Sequence, residues 1–110
     1  MAGKFVIKPA GKDQFVFNLK AANGEVILVS ELYNSKGAAQ NGVESVRKNA
    51  PLDERYERKE AKNGQFHFAL KAANHQVIGQ SELYTTKRAM ENGIVSVMKN
   101  APEAKVEDLT

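Results

Sequence analysis

Ser30, Glu31, Tyr33 and Lys36 stand within a few residues of one another, and the same four types recur at Ser81, Glu82, Tyr84 and Lys87. A hydroxyl, a carboxylate, a phenol and an ammonium at the entrance to a helix could line an anion-binding turn, because first-turn amides lack intrahelical partners and point outward. A serine beside a glutamate could also begin a hydrolase or transferase site, which would need a concave pocket and a perturbed carboxylate. Each group has structural employment too. The serine hydroxyl can cap the turn, Glu31 can pair with Lys36 in solvent for about 0–1 kcal/mol, and the tyrosine can staple the helix start to the sheet. These eight residues form the candidate binding set, and none is assigned a catalytic role.

Other chemistries fare worse. A serine nucleophile needs a base within hydrogen-bond reach, but His67 and His75 have no counterparts in the first copy, where Val16 and Gly24 stand. Two isolated histidines match no common metal-ligand spacing, and the chain has no cysteine for a disulfide or a thiolate site. The Asn-Gly pairs at 23–24, 41–42, 63–64 and 92–93 read as turns, and phosphate-loop and dinucleotide patterns are absent. No metal and no cofactor is expected.

A second functional reading is nucleic-acid binding through Lys20, Arg47, Lys48, Lys71 and Lys99, with Lys36 and Lys87 on further phosphates. The formal net charge is +3, from 16 basic against 13 acidic residues mixed along the chain, a weak signal of that kind. Lys62-Asn-Gly-Gln-Phe-His-Phe68 echoes the aromatic strand on which RNA-recognition domains stack bases, yet Phe66 and Phe68 fit the core pattern better. The leading reading is a non-enzymatic binding protein of unknown partner.

The elements that position these groups come in duplicate. Residues 8–51 recur at 59–102 with a constant shift of 51 and no gap, about 26 of 44 positions being identical. Phe15/Phe17/Leu19 and Phe66/Phe68/Leu70 alternate with polar or small residues, so each triplet projects from one face of a strand into the core. Asn23-Gly24 suits a tight hairpin turn, and Asn74-His75 is expected to take the same turn with more strain or to form a slightly longer loop. Val26–Ser30 and Val77–Ser81 follow as strands, the second more solvated because Gly79 and Gln80 replace Leu28 and Val29. Ser35 and Thr86 are N-caps of helices expected to run about two turns before Gly42 and Gly93 end them. Val43-Glu-Ser-Val46 and Ile94-Val-Ser-Val-Met98, rich in β-branched residues, then read as fourth strands.

Each unit therefore reads as β-β-β-α-β, and the fold class as α+β: two tandem repeats (4–51 and 55–102) in pseudo-twofold symmetry, sharing one antiparallel sheet system and core. The chain, 1–110, is expected to be a single domain, with a polar tail at 103–110 that partly frays. Its N-terminal apolar run is too short for a signal peptide and no stretch reaches the ~20 apolar residues of a span, so a cytoplasmic, membrane-free protein is expected. A monomer acting as an internal pseudo-dimer completes the expectation.

Lys-Ala-Ala-Asn-(Gly/His), Ser-Glu-Leu-Tyr, Asn-Gly-(Val/Ile)-x-Ser-Val and Lys-Asn-Ala-Pro, in order and in both copies, resemble the signature of the YegP-like family of small microbial proteins. The resemblance covers about residues 4–106. It implies β-β-β-α-β units assembled in pairs, with terminal strands exchanged between units, one-unit members dimerising and two-unit members pairing within a chain. It implies no established activity, so no catalytic residue comes with it. Lys36-Gly37 and Glu44 depart from the usual pattern and imply a weaker first helix.

Overall fold

The computed structural model describes residues 3–110. Strands β1 (Lys4–Pro9), β2 (Phe15–Lys20) and β3 (Val26–Ser30) precede helix α1 (Lys36–Asn49). Strands β4 (Tyr56–Glu60), β5 (Phe66–Lys71) and β6 (Val77–Gln80) precede α2 (Lys87–Asn100), and β7 (Lys105–Asp108) closes the chain. All seven strands form one sheet in the order β4-β5-β6-β3-β2-β1-β7. Its pairs are antiparallel except β1 with β7, so the shared sheet is mixed rather than purely antiparallel.

The alternation in β2 and β5 is what splits the sheet into two faces. Phe17, Leu19, Phe68 and Leu70 are fully buried toward the helices, with Phe5 and Ile7 of β1 and Tyr56 of β4 beside them. Both helices lie on this face: α1 packs over β1 and β2 and reaches β5 and β6, while α2 packs over β5 and reaches β3. Among the described residues, the opposite face carries no helix.

The two halves meet where β3 pairs with β6. Val29 lies opposite Gln80 and Ser30 opposite Gly79, so residues 29 and 80, equivalent under the 51-residue shift, flank the pseudo-twofold axis. Leu28 and Gly79 are the equivalent residues one step inward. A Cβ on Gly79 would come within 2.8 Å of Leu28 Cγ, so the leucine of one repeat fills the space left by the glycine of the other. This corrects the expectation that β6 is the more solvated strand: Gly79 is buried, and Val29 and Gln80 are both exposed on the helix-free face.

Two further expectations are corrected. Each helix runs 14 residues, through Gly42 or Gly93, and the segments read as fourth strands are its second half, leaving seven strands rather than about eight. Ala39, Val43, Val46 and Ala50, like Met90, Ile94, Val97 and Ala101, recur at helical spacing and are buried, so core burial overrides the β-propensity of valine and isoleucine. Gly42 and Gly93 are needed for close approach, not termination. A Cβ at either would stand 2.4 Å from the hydroxyl of Tyr33 or Tyr84. Ser35 and Thr86 cap as expected, each accepting at 3.0 Å from the amide three residues on.

Within the tail, Lys105–Asp108 form a strand. After a 3-10 turn at Ala101–Glu103 it pairs in parallel with β1, setting Val106 beside Phe5 and Asp108 beside Ile7. A strand following the second repeat's helix thus completes the first repeat's edge. Leu109 N donates to Ile7 O at 2.8 Å, Arg47 donates to Ala104 O, and Lys36 Nζ lies 2.6 Å from Asp108 Oδ2. His75 sits at φ +70° where the first repeat has Gly24 at +86°, the same left-handed turn with the steric cost of a side chain.

Gly42→Ala and Gly93→Ala should each cost about 1–3 kcal/mol in urea unfolding, by forcing the tyrosine ring off the helix, although alanine is the better helix former. Gly37→Ala, whose added Cβ meets nothing within 4 Å, should instead gain about 0.5–1 kcal/mol. The acid behaviour of β7 follows from Asp108, whose carboxyl is held down to about 2 chiefly by Lys36, then by Thr110. Its contribution is complete above the ordinary carboxylate range near pH ~4 and is lost as pH falls through ~2. Amide exchange of β7, corrected for intrinsic rate, should accelerate in that window while β2 stays protected, and Lys36→Met should reduce the pH dependence, leaving the part due to Thr110.

Candidate functional site

The two Ser-Glu-Leu-Tyr turns are built alike. Ser30 Oγ accepts from Phe17 N at 2.9 Å and donates to Glu31 O at 2.7 Å; Ser81 Oγ accepts from Phe68 N at 3.0 Å and donates to Glu82 O at 2.8 Å. Both hydroxyls are thereby spent on holding the strand end to its neighbour. Tyr33 exchanges backbone hydrogen bonds with Phe15 and Tyr84 with Phe66, all at 2.7–2.8 Å. Their rings stack on Phe17 and Phe68 with centroids 5.9 and 6.4 Å apart. Burial pushes both phenols above their ordinary pKa, assisted by Glu31 at Tyr33 and by Glu82 and Glu25 at Tyr84, so they stay neutral at physiological pH.

The remaining members of the set do not converge. Glu31, Glu82, Lys36 and Lys87 are exposed, and Lys36 pairs with Asp108 of β7 rather than with Glu31. Because β3 and β6 are antiparallel, the turns leave the axis in opposite directions, one back along β2 and the other back along β5. Surface grooves of about 550 and 430 Å³ lie along α1, the first lined by Glu44, Arg47 and Lys48 and the second by Lys48, Asn49 and Arg55; no turn residue lines either. Two mirrored anion pockets at the turns are not what this arrangement builds.

The basic set is also divided. Lys20 and Lys71 project from the helix-free face, whereas Lys48 and Lys99 are exposed on the helices, with Lys36 and Lys87 at the helix starts. Arg47 is structural: its guanidinium lies 5.5 Å from the Phe5 ring centroid, pairs with Glu44 and donates to Ala104 O. Phe66 and Phe68 face the helices, so the echo of a base-stacking strand is not realised.

The helix-free face gathers groups that the sequence reading did not. Register places Lys4 and Lys8 of β1, Lys20 of β2, Lys59 of β4, Lys71 of β5 and Lys105 of β7 on it, with Glu57 and Glu107 as its carboxylates. Toward its centre Asn18, only 7% exposed, stands between Val6 and Val29, and its Oδ1 has no hydrogen-bond partner among the described residues. Lys59 and Lys71 both lie 3.2 Å from Glu57, holding that carboxyl below its usual range. The alternation of positions 4, 6 and 8 could have placed Lys4 and Lys8 here. Lys105 had no such signal, because its strand is recognisable only once it has docked.

The family described as a domain of unknown function (DUF1508) matches twice, at residues 10–57 and 61–108. The chain is 54% identical to the UPF0339 protein YegP of Escherichia coli (strain K12) over 110 residues, covering 100% of both chains. It is 55% identical over 108 residues to a UPF0339 protein of Pseudomonas aeruginosa, covering 98% of each. The solution NMR structure of E. coli YegP, described as a protein of unknown function, superposes with a TM-score of 0.94, covering 100% of this chain and 95% of that one. A UPF0339 protein structure from Shewanella oneidensis, 51% identical, also gives 0.94 and covers 100% of this chain and 93% of its own. Two matched units on one sheet, with near-superposable relatives of the same length, make this chain a tandem two-repeat member of the DUF1508 family.

Proposed function

We propose that this chain is a non-enzymatic binding protein that works as a monomeric internal pseudo-dimer, that its working surface is the helix-free face of the sheet, and that its ligand is a phosphate-bearing anion. The observation that supports this is the charge of that face: six lysines stand against two carboxylates. A flat face with an excess of positive charge, bordered by exposed Val29 and Gln80, attracts an oppositely charged partner and gives association a steep salt dependence. Hydrolase or transferase chemistry at the turns has no support, since the serine hydroxyls are engaged and the tyrosines neutral.

Nucleic acid is the poorer of the anionic ligands for this surface. Every phenylalanine of the strands and both turn tyrosines lie on the helix side, which leaves the half-buried His67 as the one ring that the strands present on the helix-free face among the described residues. What the face can recognise is phosphate rather than base.

Amide chemical shifts during titration with sodium tripolyphosphate at low ionic strength should move in β1, β2 and β7 and not in the helices, and the movement should collapse on adding salt. Silence at low salt, or shifts confined to α1 and α2, would remove the reading. Ser30→Ala should cost about 1–3 kcal/mol in urea unfolding by leaving Phe17 N without its acceptor, and should leave the titration unchanged. A loss of binding with stability intact would return the turns to candidacy.

A further inference from the structure

Within the helix-free face, one row concentrates charge beyond what folding explains. Lys20 of β2, Lys4 of β1 and Lys105 of β7 are direct register partners, abreast on three adjacent strands and on the same face. With strands about 4.8 Å apart, three ammonium groups rise within ~10 Å of one another. Like charges placed directly opposite across strands are destabilising. Among the described residues, the row's one ion pair is that of Lys4 with Glu107 at 3.2 Å.

The second repeat shows that the fold has another solution. Lys71, equivalent to Lys20, is neutralised by Glu57 at 3.2 Å, whereas the first repeat has the buried Val6 in place of that glutamate. Arg55, equivalent to Lys4, precedes its strand in a 3-10 turn and donates to Asn49 Oδ1 instead. The row is therefore not inherited from the repeat. It exists in one half only, and a strand from the end of the chain supplies its third member.

We infer that Lys4, Lys20 and Lys105 form a site for an oligophosphate group, a run of linked phosphates of high charge density, and that docking of β7 completes it. The inference rests on the helix-free face being the working surface. Lysines suit such a ligand because each is a compact charge with three rotatable donors, indifferent to the exact orientation of phosphoryl oxygens. Besides its ladder with β1 and the Lys4–Glu107 pair, β7 is held by contacts on the helix side, Lys36 to Asp108 and Arg47 to Ala104. Ligand and β7 are accordingly coupled, so that binding protects the strand and loosening the strand weakens binding.

Calorimetric titration of the full chain with sodium tripolyphosphate, compared with orthophosphate, tests the site. Lys20→Gln and Lys105→Gln should each weaken tripolyphosphate binding about tenfold, while Lys59→Gln at the far edge should change it less than about twofold. Both variants should also raise the melting temperature of the free protein by relieving repulsion, a result that a purely structural role for these lysines would reverse. Lys36→Met should weaken binding without touching the ligand, and tripolyphosphate should slow amide exchange across β7 in the unaltered chain. If shifts appear on the face but Lys20→Gln and Lys105→Gln bind as the unaltered chain does, the lysine row is wrong and the face survives as the working surface. If a single-stranded oligonucleotide binds at the row and tripolyphosphate does not displace it, the ligand class is wrong. Absence of shifts on every strand would overturn both the site and the surface.

Discussion

Leu28 resting over Gly79 is the contact that lets two copies of one unit share a sheet. The β3–β6 pairing is short, and near a twofold axis equivalent side chains approach each other, so two leucines would compete for one volume in an interior that packs at crystal-like density. A large residue in one repeat and none in the other resolves the conflict. The helices reinforce the join, since α1 and α2 each reach across the axis to strands of the other half. Symmetry thus holds for the order of the six strands β4-β5-β6-β3-β2-β1 and is broken in the side chains at the axis.

The same asymmetry reappears at the sheet edges. β1 is apolar, with Phe5, Val6 and Ile7 buried, and β7 covers its outer side; β4, the equivalent strand, reads Tyr-Glu-Arg-Lys-Glu and ends the sheet uncovered. Unpaired edges invite further strands, and charge is the usual protection. Arg58 of β4 ties that edge to α2 through Glu91 and to Asp53, so the polar strand is fastened by ion pairs where the apolar one is fastened by a seventh strand. β7 itself is exposed along its length and carries Lys105, Glu107 and Asp108, which makes it a suitable terminus.

Residues preserved in both copies are the natural suspects for function, yet here they are chiefly the residues that build the unit. Ser30 and Ser81 tie a strand end to its neighbour, Tyr33 and Tyr84 seat against Gly42 and Gly93, and Asn23 and Asn74 cap their hairpins by accepting from the amide two residues on at 3.1 Å. A comparison of the repeats therefore finds the scaffold efficiently and passes over Lys4 and Lys105, whose counterparts Arg55 and Glu54 lie in a 3-10 turn.

Local patterns settled much by themselves: the duplication, the alternating Phe-x-Phe-x-Leu strands, the turns at Asn23 and Asn74, and the caps at Ser35 and Thr86 are each fixed by a few neighbouring residues acting through short-range geometry. The length of the helices was not settled that way, because Gly42 and Gly93 signal a stop in isolation, whereas the folded turn before each helix lays a tyrosine ring against them and needs the room. Nor was the fate of the tail, since four mostly charged residues have no reason to be a strand until an apolar edge lies beside them. The row of Lys20, Lys4 and Lys105 is decided last of all. Lys4 and Lys20 meet across consecutive strands while Lys105 arrives from the far end of the chain, and no periodicity within any one segment encodes that proximity.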